Sequence, residues 1–135
     1  MSTFADLGVP TDLVAVLAAR DITVPTPIQA ATLPDSFAGR DVLGRGRTGS
    51  GKTYAFLLPL VARLAESNRP RKAGRPRALI LAPTRELVGQ IDEALAPLAQ
   101  AFGLTTRTVF GGVGQGPQVQ GLRRGVDIVL ACPGR

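Results

Sequence analysis

The residues with the most chemical promise are Gly46-Arg47-Thr48-Gly49-Ser50-Gly51-Lys52-Thr53, which match the pattern G-x-x-x-x-G-K-[ST]. Gly49 and Gly51 let the backbone turn so that successive N–H groups converge on an anion, and a helix starting near Lys52 would aim its positive dipole end at the same point. The Lys52 ammonium suits the β- and γ-phosphates of a nucleotide such as ATP. The Thr53 hydroxyl suits a Mg²⁺ ion that neutralises phosphate charge. Arg47, Thr48 and Ser50 complete the loop that would line those phosphates. The same glycines could also form an ordinary turn. Gly44, Gly46 and Gly49 satisfy G-x-G-x-x-G as well. That dinucleotide pattern needs an acid at the end of the second strand, where this chain has Ala82-Pro83, and it leaves Gly-Lys-Thr without a task.

Such a loop works only between a strand and a helix, and the flanking residues predict both. Asp41-Val42-Leu43 reads as a short strand. Lys52 to Leu64 reads as a helix with Leu57, Leu60, Val61 and Leu64 on one face and a kink at Pro59. Upstream, Thr11 can cap a helix beginning at Asp12 that carries Leu13, Val16 and Leu17. Val24-Pro25-Thr26-Pro27 is a rigid turn in which Pro27 can occupy the first turn of a new helix, presenting Gln29 near its start. Downstream, Ala78 to Ala82 is continuously apolar and bounded by prolines, as expected of a strand covered on both faces. Leu87, Ile91, Leu95 and Leu98 mark a helix from about Thr84 that breaks near Pro97 or Gly103. Thr105 to Phe110 is strand-like, a glycine-rich turn spans Gly111 to Gly116, a weak helix ends near Gly125, and Val126 to Ala131 is another strand. Strands alternating with helices predict an α/β fold with a parallel sheet.

Composition narrows the function further. With 135 residues, 44% of them apolar and 19% charged, the chain suits one globular core. It has no histidine, and Cys132 is its one cysteine, so disulfide frameworks, zinc knuckles and histidine-dependent triads are excluded. The longest apolar run, Ala55 to Ala62, is too short to span a membrane and contains Pro59. Met1 to Asp6 does not read as a secretory signal, so a cytoplasmic protein is expected. The net charge is +6, and five basic residues fall between Arg69 and Arg77 with no acid among them. That segment, prolines included, reads as a solvated connection, and any contact it made with a nucleic acid would be salt-sensitive and non-specific.

Beyond the loop, several short motifs occur in one order. These are Phe4, then Pro25-Thr26-Pro27-Ile28-Gln29, the glycine loop, Pro83-Thr84-Arg85-Glu86-Leu87, Gly111-Gly112, and Cys132-Pro133-Gly134-Arg135. In that order the chain resembles the first RecA-like domain of a DEAD-box RNA helicase, from the aromatic upstream of the Q motif to the T-P-G-R element. The resemblance implies an incomplete RecA-like P-loop NTPase domain: a Q-motif leader over 1–38 and a partial ATP-binding domain over 39–135. The D-E-A-D box, the strands beside the P-loop strand and the second RecA-like domain would lie in later sequence. The implied cofactors are ATP and Mg²⁺, and the implied partner is RNA.

Carried over residue by residue, Gln29 resembles the glutamine that reads the adenine edge, since an amide offers a donor and an acceptor in one plane. Pro25 belongs to the same turn. Phe4 resembles the aromatic that stacks on the base, a contact typically worth about 1–3 kcal/mol. Packing in the core is the alternative for Phe4, and a surface amide is the alternative for Gln29. Pro83, Thr84, Arg85, Gly111, Gly112, Pro133, Gly134 and Arg135 correspond to the strip that holds the RNA sugar-phosphate backbone. Glycines there allow close approach and arginine supplies forked charge. A plain helix cap at Thr84 and plain turn glycines at 111 and 112 are the alternatives.

Three positions depart from the family pattern. Cys132 stands in place of threonine in T-P-G-R, Asp21 in place of the glycine that opens the Q motif, and Gly46 in place of a common alanine. Another P-loop enzyme, such as a small-molecule kinase, and an RNA-binding module with a vestigial P-loop remain as other functions for the same residues.

Overall fold

The computed structural model describes residues 2–46, 51–66, 75–109 and 125–133. Among the described residues, four helices and three strands follow in the order α1 (Thr11–Ala18), α2 (Pro27–Phe37), α3 (Lys52–Glu66), β1 (Ala78–Leu81), α4 (Arg85–Ala101), β2 (Thr106–Val109) and β3 (Ile128–Ala131). They fall into two compact units, Met1–Glu66 and Ser67–Arg135.

In the first unit the helix boundaries follow from local chemistry. Pro10, rather than Thr11, precedes the first turn of α1, and no side chain caps it, so the expected Thr11 cap is absent. Pro10 contributes only its carbonyl, which accepts the Leu13 and Val14 N–H groups at 3.0 Å. Leu13 and Leu17, one turn apart, carry the buried stripe. The C-terminal end of α1 is a Schellman motif: the Asp21 N–H donates to the Ala18 carbonyl at 3.0 Å and the Ile22 N–H to the Leu17 carbonyl at 2.9 Å. Asp21 takes φ +62° there. This conformation accounts for glycine being the family residue at position 21, and aspartate is among the few other residues that tolerate it.

Helix α2 begins with Pro27 at its first position, as the sequence predicts, and packs against α3. On α3, Leu57 and Val61 are buried as expected, joined by Ala55, Leu58 and Ala62. The helix continues through Pro59 to Glu66. The predicted strand at Asp41-Val42-Leu43 is not formed. Residues 41–46 carry no strand, Leu43 is 95% exposed, and Val42 is exposed too. Three residues cannot hold an extended conformation without a ladder partner, and the one sheet among the described residues contains only β1, β3 and β2.

That sheet, in the second unit, has the order β1-β3-β2, with both pairs parallel. The parallel expectation holds, although the last strand in sequence is inserted between the other two. Helix α4 packs on β2 and β3 through a stripe that includes Val88, Ile91, Leu95 and Leu98. It runs through Pro97 and stops before Gly103, whose φ of +66° ends it, so of the two predicted stops the glycine is the effective one. The expectation that β1 is covered on both faces is not met: Ile80 is buried, whereas Leu79 and Leu81, on the opposite face, are about three-fifths exposed at 60% and 61%. Strand β1 pairs on one side only, which makes it an edge strand among the described residues. The predicted turn at Gly111–Gly116 and the helix before Gly125 lie outside the described residues.

The left-handed Asp21 yields a stability test. Asp21→Gly should stabilise the chain by about 0.5 kcal/mol, and Asp21→Val should destabilise it by about 1 kcal/mol, because glycine has no Cβ to clash at positive φ, whereas valine loses the local polar bonding that lets aspartate tolerate it and adds a branched Cβ. Urea unfolding midpoints of the two variants check the order.

Candidate functional site

Thr26 sets the entrance to α2, in extended conformation before Pro27. Residues of a capping box are present, and Gln29 reaches back so that its Oε1 accepts the Thr26 N–H at 2.9 Å. The other end of the same carboxamide crosses to the P-loop: Nε2 donates to the Gly51 carbonyl at 2.9 Å. A donor on one side and an acceptor on the other fix which atom is nitrogen. Gln29 is 2% exposed, so it is not a surface amide. The Thr26 hydroxyl oxygen is buried without a hydrogen-bond partner, so the reciprocal arm of the box stays unmade.

Gly51 is the hinge between loop and helix. Its φ is +86°, and a Cβ at this position would lie 2.6 Å from Gln29 Nε2 and 2.9 Å from both Thr26 Cγ2 and Oγ1. Any side chain would therefore be excluded twice, once by backbone conformation and once by space. Lys52 and Thr53 are the first two residues of α3, where unpaired N–H groups and the positive end of the helix dipole gather. Lys52 is exposed and Thr53 half-buried. Gly44, Arg45, Gly46 and Lys52 line an open surface depression. A glycine cradle, an ammonium and a hydroxyl at a helix start suit a nucleotide triphosphate with its Mg²⁺ ion. The residues expected to complete the loop, Arg47, Thr48, Gly49 and Ser50, lie outside the described residues.

Phe4 sits in a turn braced by reciprocal bonds, Thr3 N–H to Asp6 Oδ2 at 2.9 Å and Asp6 N–H to Thr3 Oγ1 at 3.1 Å. The Thr3 N–H holds the Asp6 carboxyl below its ordinary pKa. The turn is therefore strengthened above the ordinary carboxylate range and loosens as pH falls through the depressed value. Phe4 itself is 2% exposed and belongs to the buried core, so in this conformation it offers no open ring face to a base. Pro25 is half-buried, next to Thr26.

In the second unit, Pro83, Thr84 and Arg85 are exposed just beyond the carboxyl end of β1, and Pro133 is exposed beyond β3. Ligands of open α/β sheets bind at this edge. The Thr84 hydroxyl caps α4 by accepting the Leu87 N–H at 3.1 Å, so the cap chemistry considered for it is present. Cys132 does not simply fill space: its sulfur lies 3.6 Å from the Pro83 carbonyl, in hydrogen-bonding geometry, and joins the turn after β3 to the turn after β1. Gly111, Gly112, Gly134 and Arg135 lie outside the described residues.

The sequence reading passed over Asp127. This carboxylate, 2% exposed, receives Thr105 N–H at 2.9 Å and Arg77 Nη1 at 3.3 Å. Arg77 therefore serves the sheet and is not one more charge of the basic connection. The signal was a single acid at the start of an apolar run, Val126-Asp127-Ile128.

One unit thus carries Lys52 and Thr53 at a helix start directly after a left-handed Gly51, and the other a parallel sheet with an exposed carboxyl edge. The family model described as DEAD/DEAH box helicase matches residues 26–135, and the chain belongs to that family. It is 43% identical, over all of its length, to the DEAD-box ATP-dependent RNA helicase 30 of Arabidopsis thaliana, of which it covers 23%. It is 46% identical over 97% of its length to the chloroplastic DEAD-box ATP-dependent RNA helicase 3A of Zea mays, covering 18% of that protein. Among solved structures, the RNA-helicase Prp28 from Chaetomium thermophilum bound to ADP superposes with a TM-score of 0.84 at 40% identity, over 97% of this chain and 32% of that one. The chain thus spans a third or less of these relatives, and its fold is an incomplete RecA-like helicase domain.

Gly51→Ala tests the cradle. The substitution should cost about 1–2 kcal/mol through the left-handed backbone alone. It should also push Gln29 from its place, seen in thermal melts and as a shifted Gln29 side-chain amide resonance.

Proposed function

We propose that this chain is the ATP-binding and RNA-backbone-binding portion of a DEAD-box ATP-dependent RNA helicase, acting within a longer protein that separates short RNA duplexes locally. The observation that carries the reading is the placement of Lys52 and Thr53 at the start of α3, directly after a left-handed Gly51 tied to Gln29.

Lys52 binds the β- and γ-phosphates, the loop N–H groups and the helix start hold the triphosphate tail, and the Thr53 hydroxyl ligates Mg²⁺. Bound Mg²⁺ supplies charge neutralisation on the phosphates. Each atom of the Gln29 carboxamide uses one hydrogen-bonding position within the protein and has a second, one N–H and one lone pair, that would meet the adenine edge once the site opens around this 2% exposed side chain. Base recognition of this kind leaves the Gly51 bond intact. Stacking by Phe4 would require its ring to leave the core.

RNA lies along the carboxyl edge of the sheet, across Pro83, Thr84, Arg85 and Pro133, and Gly111, Gly112, Gly134 and Arg135 contribute to holding the same backbone. Such contacts read phosphate and sugar rather than bases, so they are indifferent to sequence. The acids that orient the attacking water and the arginines of a second domain belong to the remainder of the longer protein. A leader over 1–38, a partial ATP-binding domain over 39–135 and a cytoplasmic location go with this reading. None of the helices among the described residues is long and apolar enough to cross a membrane.

Steady-state phosphate release tests the proposal. The 135 residues alone should bind nucleotide weakly and show no RNA-stimulated turnover. The longer protein should show RNA stimulation that Lys52→Ala abolishes. RNA binding that is independent of ATP would instead favour a vestigial P-loop, and turnover without RNA dependence would favour another P-loop enzyme. Gln29→Ala separates the helicase from another P-loop enzyme, because the ratio of ATP to GTP affinity should fall only in the helicase. Absolute affinity is uninformative there, because the substitution also strands the Gly51 carbonyl, a loss of about 1–3 kcal/mol.

A further inference from the structure

The three strands begin on one side chain. Asp127 immediately precedes β3, Thr105 precedes β2, and Arg77 precedes β1. Asp127 Oδ2 accepts the Thr105 N–H at 2.9 Å and the Thr105 hydroxyl at 3.3 Å, and the Asp127 N–H returns a bond to Thr105 Oγ1 at 3.1 Å. On the other flank, Oδ1 meets Arg77 Nη1 at 3.3 Å, and the Asp127 carbonyl accepts the N–H groups of Arg77 at 2.8 Å and Ala78 at 3.0 Å.

Burying a carboxylate and a guanidinium is costly, and an apolar cluster could pack the same space. What an apolar cluster cannot supply is register. Strands β1 and β3, with the sequences Ala-Leu-Ile-Leu and Ile-Val-Leu-Ala, are apolar at every position, so a slip of one residue leaves the hydrophobic pattern almost unchanged. Directional bonds to a single buried acid distinguish the observed pairing, Ala78 with Ile128 and Thr106 with Ile128, from its neighbours. Each ladder is only four residues long, so the far end follows the near end closely. There the Ala82 N–H meets the Ala131 carbonyl at 3.0 Å, the Cys132 N–H meets the Val109 carbonyl at 3.1 Å, and the Cys132 sulfur meets the Pro83 carbonyl. A slip by one residue would offset the turns after β1 and β3 by about 3.3 Å.

We propose that Asp127 is a positioning residue for RNA: by pinning the strand starts through Arg77 and Thr105, it sets the Pro83-Thr84 turn level with the Cys132-Pro133 turn, so that both reach one sugar-phosphate backbone. The inference rests on the RNA reading above and assigns a role in it to residues at the opposite end of the sheet from the contacts.

The test uses the longer helicase, with ATP hydrolysis followed against RNA concentration at saturating ATP and MgATP affinity measured by calorimetry without RNA. Asp127→Asn should raise the KM for RNA about tenfold while leaving MgATP affinity unchanged, since small displacements of contact groups act on binding geometry. Thr105→Val, which keeps the backbone N–H and loses the hydroxyl, should raise it in the same direction by less. A purely structural role would lower kcat through loss of folded molecules and leave the KM for RNA untouched, and that result overturns the proposal. If Asp127→Asn does not fold, Thr105→Val decides alone, and an unchanged KM for RNA overturns it. Absence of RNA dependence in the unsubstituted protein would sink the RNA reading itself, a result distinct from an unchanged KM in the variants.

Discussion

One carboxamide holds the candidate nucleotide site together. Gln29 is buried, accepts from Thr26 at the entrance of α2, and donates to the carbonyl of Gly51 at the entrance of α3. Two helix starts are thereby tied to each other through a single planar group. Gly51 can accept that bond only because it lacks a side chain and tolerates positive φ. The start of α3, where helix dipole and free N–H groups favour an anion, is therefore placed by a residue 22 positions earlier in sequence.

The sheet obeys a comparable constraint. Parallel strands that are apolar throughout carry little information about which residue faces which, and here that information comes from polar bonds at both ends of the ladder. Asp127 closes one end and Cys132 the other. Cys132, standing where the family commonly has threonine, bonds to the neighbouring turn through its sulfur. The departures at 21 and 132 are thus both accommodated by local geometry: an aspartate that tolerates the left-handed region and a thiol with a carbonyl within reach.

Local signals in the sequence were reliable where the physics was local. Pro27 at the first turn of α2, Lys52 at the first turn of α3 and the parallel strands reappear in the structure, and Ile91, Leu95 and Leu98 form the buried stripe of α4, with Val88 rather than Leu87 at its start. Errors arose where the outcome depends on distant partners. Asp41 to Leu43 has strand composition and no ladder to join, and β1 has the composition of a doubly covered strand with one face open. Pro97 carries a helix-breaking signal, yet α4 runs through it. Phe4 could be read as a base-stacking aromatic or as a core residue, and its burial is decided by what surrounds it.

The amino-acid sequence determined the family, the phosphate-binding pattern and the alternation of strands and helices, because each is written in contiguous residues or in the order of short motifs. Tertiary structure alone decided that Gln29 spans two helix starts, that the last strand inserts between the first two, and that Asp127 gathers Arg77 and Thr105. Those facts join residues tens of positions apart, and no local periodicity encodes which buried polar group will meet which. The cost of leaving such a group without a partner selects the pairing only once the chain has folded.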